Sequence, residues 1–114
     1  MNLESVDKHL KEKLKDPYFR ELYELDEQKL QIVKRIIEYR IEQGMNQKQL
    51  ADQIGVSQQH ISKIENGEFS SVMTLEKVLL FIGYTVKLQA IRLDSKISAK
   101  ISKIIRSKRF RLAV

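Results

Sequence analysis

The chain has 114 residues, 42% hydrophobic and 32% charged, with a formal net charge of +6 and no cysteine. That length supports one small domain with flanking extensions, and the composition is that of a soluble, folded chain. Disulfides, thiol catalysis and zinc–thiolate sites are excluded; no apolar run nears the roughly 20 residues that cross a bilayer, and the start, Met1-Asn2-Leu3-Glu4, lacks a secretory plan, so the expected location is cytoplasmic, away from membranes.

The charge is unevenly placed. Seven of the 21 Lys/Arg and one of the 15 Asp/Glu, Asp94, lie in residues 94–114, which leaves 1–93 balanced at 14 against 14. A basic tail suits a polyanion such as nucleic acid or an anionic membrane face, and equally a solvated end.

In chain order, a first amphipathic segment carries Val6, Leu10 and Leu14 and ends near Lys15. Asp16-Pro17 is a helix start, with Asp as the cap and the only proline at the first helical position. The helix from Pro17 carries Phe19, Leu22 and Tyr23, and Asp26 reads as the cap of a longer helix through Gln43. In that helix Leu30, Val33, Ile36, Ile37 and Ile41 recur at three and four, which predicts one buried stripe, and Gly44 supplies the stop. Asn46 caps a short helix over Gln47 to Ile54, with Leu50, Ala51 and Ile54 inward and Gly55 breaking it. Ser57 caps the next, with Ile61 and Ile64 inward and Asn66-Gly67 at its end. Thr74 reads as the cap of a helix burying Leu75, Val78, Leu79 and Ile82, closed by Gly83. From Tyr84 to Ile91 the period changes to two, a strand pattern. A lone strand is not stable, so this one is expected to pair with its copy across a two-fold axis. The tail beyond Asp94 fits either a basic amphipathic helix, with Ile97, Ile101, Ile104 and Ile105 on one face, or a disordered end.

Residues 45–67 concentrate the chemistry. Two short helices meet at Gly55, Val56 plugs the corner, and Ala51 is small where the second helix must cross closely. Such a pair lays its second helix in the DNA major groove, with the N-terminal residues of that helix at base edges. Here these are Ser57, Gln58, Gln59 and His60. Glutamine bonds bidentately to adenine N6 and N7, and hydroxyls, imidazole and a helix N-terminus bond phosphate.

On Asn46-Gln47, Leu50-Ala51, Ile54-Gly55-Val56-Ser57-Gln58, Ile61-Ser62 and Ile64-Glu65-Asn66-Gly67, the segment resembles the XRE-type helix-turn-helix regulators, the class of the lambdoid phage repressors. The resemblance spans about Leu30 to Ile91 and implies an all-α, mainly helical, lambda-repressor-like bundle. It implies that Gln47 lies against phosphate and braces Gln58, that Gln58, Gln59 and His60 face base edges, and that Lys63 faces the groove later in the helix. It further implies that Asn66 contacts the backbone and that Arg40 pairs with Glu65 in a structural salt bridge. Asn46 stands where many members have threonine or serine, and it caps equally well.

The leader, with Lys15-Asp16-Pro17-Tyr18-Phe19-Arg20-Glu21-Leu22-Tyr23, together with a following strand, resembles HigA-type antitoxins of type II toxin–antitoxin pairs. That resemblance implies a RelE/HigB-like ribonuclease toxin as partner, with Tyr18, Phe19, Leu22 and Tyr23 as candidate toxin contacts, or else as core beneath the long helix. Three segments are therefore expected: a helical extension over 1–29, a helix-turn-helix domain with its strand over 30–93, and a basic tail over 94–114. The expected function is a homodimeric antitoxin that binds a double-stranded operator, represses its own operon and neutralises a toxin; the alternative is a stand-alone XRE-family repressor. No acid pair, nucleophile set, metal cluster or phosphate-binding glycine loop is visible, so no enzyme activity, metal or cofactor is expected.

Overall fold

The computed structural model describes residues 3–113, with side chains for 4–108. Its elements are α1 (Leu3–Lys13), α2 (Pro17–Glu42), α3 (Gln47–Ile54), α4 (Gln58–Glu65), α5 (Val72–Ile82) and α6 (Ser95–Ala113), with no strand among the described residues. The chain divides into two compact units: Glu27–Gln89, and the two flanks, through Asp26 and from Ala90 onward. These bounds lie a few residues from the divisions expected at 29 and 93, and the leader and tail fall in one unit.

Local chemistry explains most of the helix ends. Asp16 caps α2 through Oδ1, which accepts from the N–H groups of Tyr18 at 2.9 Å and Phe19 at 3.2 Å. α2 then runs unbroken through Asp26, where the sequence suggested a new helix. No glycine or proline interrupts residues 18–43, and an interior Asp costs only about 0.6 kcal/mol of helix propensity, less than opening two helix ends. α5 starts earlier than expected: its cap is Ser71, whose Oγ accepts from the Thr74 N–H at 3.2 Å, so Thr74 lies inside the first turn.

The core belongs to the Glu27–Gln89 unit. Ile36, Leu50, Ala51, Ile54, Ile61, Ile64, Leu75, Val78, Leu79 and Ile82 form one buried cluster, edged by Ile32, Tyr39, Met45, Val56, Phe69 and Val86. α3 and α4 pack closely against each other, as a buried alanine at Ala51 permits. The expected α2 stripe is only partly inside. Val33 and Ile36 are buried and Ile37 is half-buried, but Leu30 is 57% and Ile41 65% exposed. Around the helix those two project more than 100° from Ile36, estimated at about 100° per residue, beyond one packed face.

The expected strand over Tyr84–Ile91 does not form: residues 84–94 have no regular structure. Alternation supplies a face, but a ladder also needs a neighbouring strand. The segment's first polar groups go to α5 instead. The Glu76 carboxylate accepts the Thr85 hydroxyl at 2.8 Å and the Val86 N–H at 3.1 Å.

Among the described residues of the flanking unit none is fully buried. Leu10, Leu14, Tyr18, Phe19, Tyr23, Ile97, Ile101 and Ile104 are half-buried, while Val6, Leu22, Leu25 and Ile105 are exposed. Phe19 and Tyr23 stack at 6.2 Å, Lys13 lies over Phe19, and Lys108 sits 4.7 Å from the centre of the Tyr18 ring.

Candidate nucleic-acid interface

α4 is a short helix with a sharp division of faces. Ile61 and Ile64 are buried, whereas Ser57, Gln58, Gln59, His60 and Lys63 are exposed. Burial of the two isoleucines fixes the rotation of the helix and so directs the polar residues outward. Ser57 Oγ accepts from the His60 N–H at 3.2 Å and lies 3.1 Å from His60 Nδ1. With the ring hydrogen on Nε2, the Ser57 hydroxyl donates to Nδ1 and leaves Nε2–H as a donor without a partner among the described residues. Gln58 and Gln59 have no partner among the described residues, so both side-chain amides are available to a ligand.

Two turns hold α3 and α4 in place. Asn46 and Gln49 form a reciprocal capping box: Asn46 Oδ1 accepts from the Gln49 N–H at 2.8 Å, and Gln49 Oε1 accepts from the Asn46 N–H at 2.9 Å. This commits the Asn46 carbonyl to the cap and leaves its NH₂ without a hydrogen-bond partner among the described residues. Gly55 ends α3 at φ +83°, a conformation that L side chains rarely adopt, and its carbonyl accepts from Lys77 Nζ at 3.4 Å. Asn66 ends α4 with its N–H on the carbonyls of Ser62 and Lys63, both at 3.1 Å, and its side chain exposed.

Beneath this face lies an ion pair. Arg40 donates from Nε to Glu65 Oε2 and from Nη2 to Glu65 Oε1, both at 3.0 Å, and from Nη1 to the Met45 carbonyl at 3.2 Å. The Gln47 amide also donates to Glu65 Oε1, at 3.3 Å. Gln47 therefore braces Glu65 rather than Gln58; a carboxylate draws an N–H more strongly than a neutral amide oxygen does. Its own carbonyl oxygen remains open. The structure thus brings Arg40, Gln47 and Glu65 into one cluster under α4 and sets Gln58, Gln59, His60 and Lys63 on its surface. The candidate toxin contacts Tyr18, Phe19, Leu22 and Tyr23 lie in the other unit, with Leu22 45% exposed and the aromatics half-buried.

Sequence reading missed three contributors: Gln49 in the capping box, Lys77 on the Gly55 carbonyl, and Glu76 on residues 85–86. Only Gln49 had a local signal, a glutamine three residues after the cap. Among the described residues no group of three or more His, Cys, Asp or Glu could hold a metal, and no helix is long and apolar enough to cross a membrane.

No curated protein matches the chain, and no solved structure does. Residues 36–89 do match a family model, described as helix-turn-helix, and the match begins in α2, takes in α3 to α5 and includes every residue from Arg40 to Asn66 discussed above. The match to an XRE-type helix-turn-helix domain over this segment supports a DNA-binding transcription regulator.

Proposed function

We propose that the chain is a homodimeric, non-catalytic repressor that reads a double-stranded operator through Gln58, Gln59 and His60. The observation that carries this reading is a recognition helix whose Ile61 and Ile64 are buried while its glutamines are exposed and unpartnered among the described residues. Lys63 and Asn66 supply phosphate contacts at the other end of α4, and Asn46, Gln47 and Ser57 do so at the turns. Exposed apolar side chains on the same unit, Met73, Leu80 and Phe81 of α5 with Leu30 of α2, support a second copy as partner. Two half-sites then lie about one helical turn apart, roughly 34–36 Å. The test is binding to the chain's own promoter by Gln58→Ala and Gln59→Ala. Each variant loses roughly 1–3 kcal/mol and discriminates less well between sequences. Parental binding by both would refute the groove assignment.

The antitoxin reading adds a second partner, a RelE/HigB-like toxin held by the flanking unit. Supporting it are the apolar residues that this unit leaves exposed, Val6, Leu22 and Leu25, and an apolar hollow of about 530 Å³ bounded by Ser5, Val6, His9, Leu10, Lys13 and Phe19. Co-expression of the tagged chain with its neighbouring reading frame tests it. A stoichiometric small basic protein, toxic alone, supports the antitoxin role; promoter binding with no such partner leaves a stand-alone repressor.

A further inference from the structure

The unit that carries the recognition helix is almost neutral. Residues 27–89 hold eight Lys/Arg against seven Asp/Glu, and α4 itself holds one Lys, Lys63, against one Glu, Glu65. Duplex DNA, in contrast, is bound chiefly through phosphate neutralisation and release of counterions. The chain's cationic excess lies in residues 94–114, and α6 contains no acid.

α6 presents that charge in an ordered way. Lys96, Lys100 and Lys103 recur at four and three residues, which sets them in one stripe along the helix, and all three are exposed. None forms an ion pair among the described residues, and neither does Arg106. Ile97, Ile101 and Ile104 form the adjacent stripe and are half-buried. Lys108 projects over the apolar side and is engaged with the Tyr18 ring at 4.7 Å. Insertion into a lipid surface would require withdrawing those isoleucines from their cover, whereas docking phosphate on the lysine stripe requires no rearrangement.

We propose that Lys96, Lys100 and Lys103 form a second, sequence-independent DNA surface that takes duplex phosphate. The proposal rests on the DNA-binding reading above. It assigns affinity and salt sensitivity to α6, and base discrimination to α4.

The experiment is salt-dependent binding of the full chain to promoter and scrambled duplexes by fluorescence anisotropy, with the triple variants K96Q/K100Q/K103Q and K96R/K100R/K103R. Each lysine on phosphate contributes about −0.9 to the slope of log Kobs against log salt, so the glutamine triple is shallower by about 2.7 per protomer, or about 5.4 for the bound dimer. Between about 50 and 200 mM salt the dimeric parent then loses on the order of 10³-fold more affinity than this variant, or roughly 40-fold per protomer. The arginine triple keeps the parental slope, and the promoter-to-scrambled ratio is the same in all three. Lysine acetylation of the parent, read by mass spectrometry with and without duplex, is independent of any variant's folding and shows Lys96, Lys100 and Lys103 protected.

An unchanged slope in a folded glutamine triple, or protection of Lys63 without protection of the α6 lysines, overturns the proposal and leaves the α4 reading standing. Loss of binding to anionic vesicles by the glutamine triple with an unchanged DNA slope overturns it in favour of a membrane. No duplex binding by the parent removes both readings together.

Discussion

Replacing Arg40 with alanine isolates the ion pair beneath the recognition helix. The Glu65 side chain is 6% exposed and that of Arg40 20%, and they meet through two 3.0 Å hydrogen bonds. Alanine leaves the Glu65 carboxylate, nearly out of water, with only the Gln47 amide at 3.3 Å, and the Met45 carbonyl loses its side-chain donor. Stranding one charge of a buried pair costs about 3–5 kcal/mol; partial access of solvent at Arg40 places the expectation at the lower end, about 3 kcal/mol. For a domain of this size such a loss lowers Tm by about 12–24 °C. Urea unfolding followed by circular dichroism measures it, and Glu65→Ala with the Arg40→Ala/Glu65→Ala double variant completes a cycle. The expected coupling is about 2 kcal/mol, because once either partner is gone the other has little left to lose. Arg40→Lys keeps the charge but not the two-pronged geometry and recovers less than half of the loss. A single-variant cost below about 1 kcal/mol, or strict additivity, would refute the reasoning.

Other expectations concern the turn, the tether and the groove. Gly55→Ala costs about 1 kcal/mol in a thermal melt, through the left-handed backbone rather than a clash, since the new Cβ meets only Lys77 Nζ, at 3.5 Å. Gly55→Asn, which tolerates that conformation better, should cost less; the reverse order would rule out backbone strain as the cause. Glu76→Ala removes both acceptors from Thr85 and Val86, so exchange of the Val86 amide accelerates about tenfold for a local loss near 1.4 kcal/mol. An unchanged Val86 rate would mean that the carboxylate does not anchor the segment. Lys63→Gln weakens promoter and scrambled duplexes about equally; a selective loss on the promoter would make Lys63 a reader of bases instead.

The parts legible in the sequence are those that local chemistry determines. Asn46, Ser57, Gly55 and Gly67 define α3 and α4 almost to the residue, because a cap hydroxyl or amide and a left-handed glycine act within a single turn. Where two local options competed, the sequence could not rank them. Ser71 and Thr74 are both good caps, and starting at Ser71 adds Val72 and Met73 to α5 while keeping Leu75 buried. Asp26 is likewise an acceptable cap and a tolerable interior residue, and continuity of α2 prevails. The alternation from Tyr84 to Ile91 describes a face without a partner, and no property of one segment supplies its neighbour. Leu30 and Ile41 fit the helical period but stand outside the packed arc, whose width depends on what lies opposite. Gln47 is the instructive case at the site. Its place beside α4 follows from the motif, but its choice of Glu65 depends on a carboxylate brought near by tertiary packing.

The same distinction separates the two kinds of recognition proposed above. Base discrimination needs neutral donors and acceptors held to within a few tenths of an ångström. Accordingly Gln58 and Gln59 sit on a helix pinned by Ile61 and Ile64 and by the capped turns on either side. Phosphate attraction acts over several ångströms and tolerates loose geometry. Such charge needs neither the recognition helix nor a tight core, and the chain's cationic excess lies on α6, in a unit without a fully buried side chain among the described residues. Substitutions in the two sets should then act on different axes. Changes at Gln58 and Gln59 alter the ratio between sequences at fixed salt, and changes at Lys96, Lys100 and Lys103 alter the salt slope at a fixed ratio. Combined variants should be additive in free energy, because the two sets share no partner. Strong non-additivity would mean that α6 helps to orient α4 on the duplex and is not merely a source of charge.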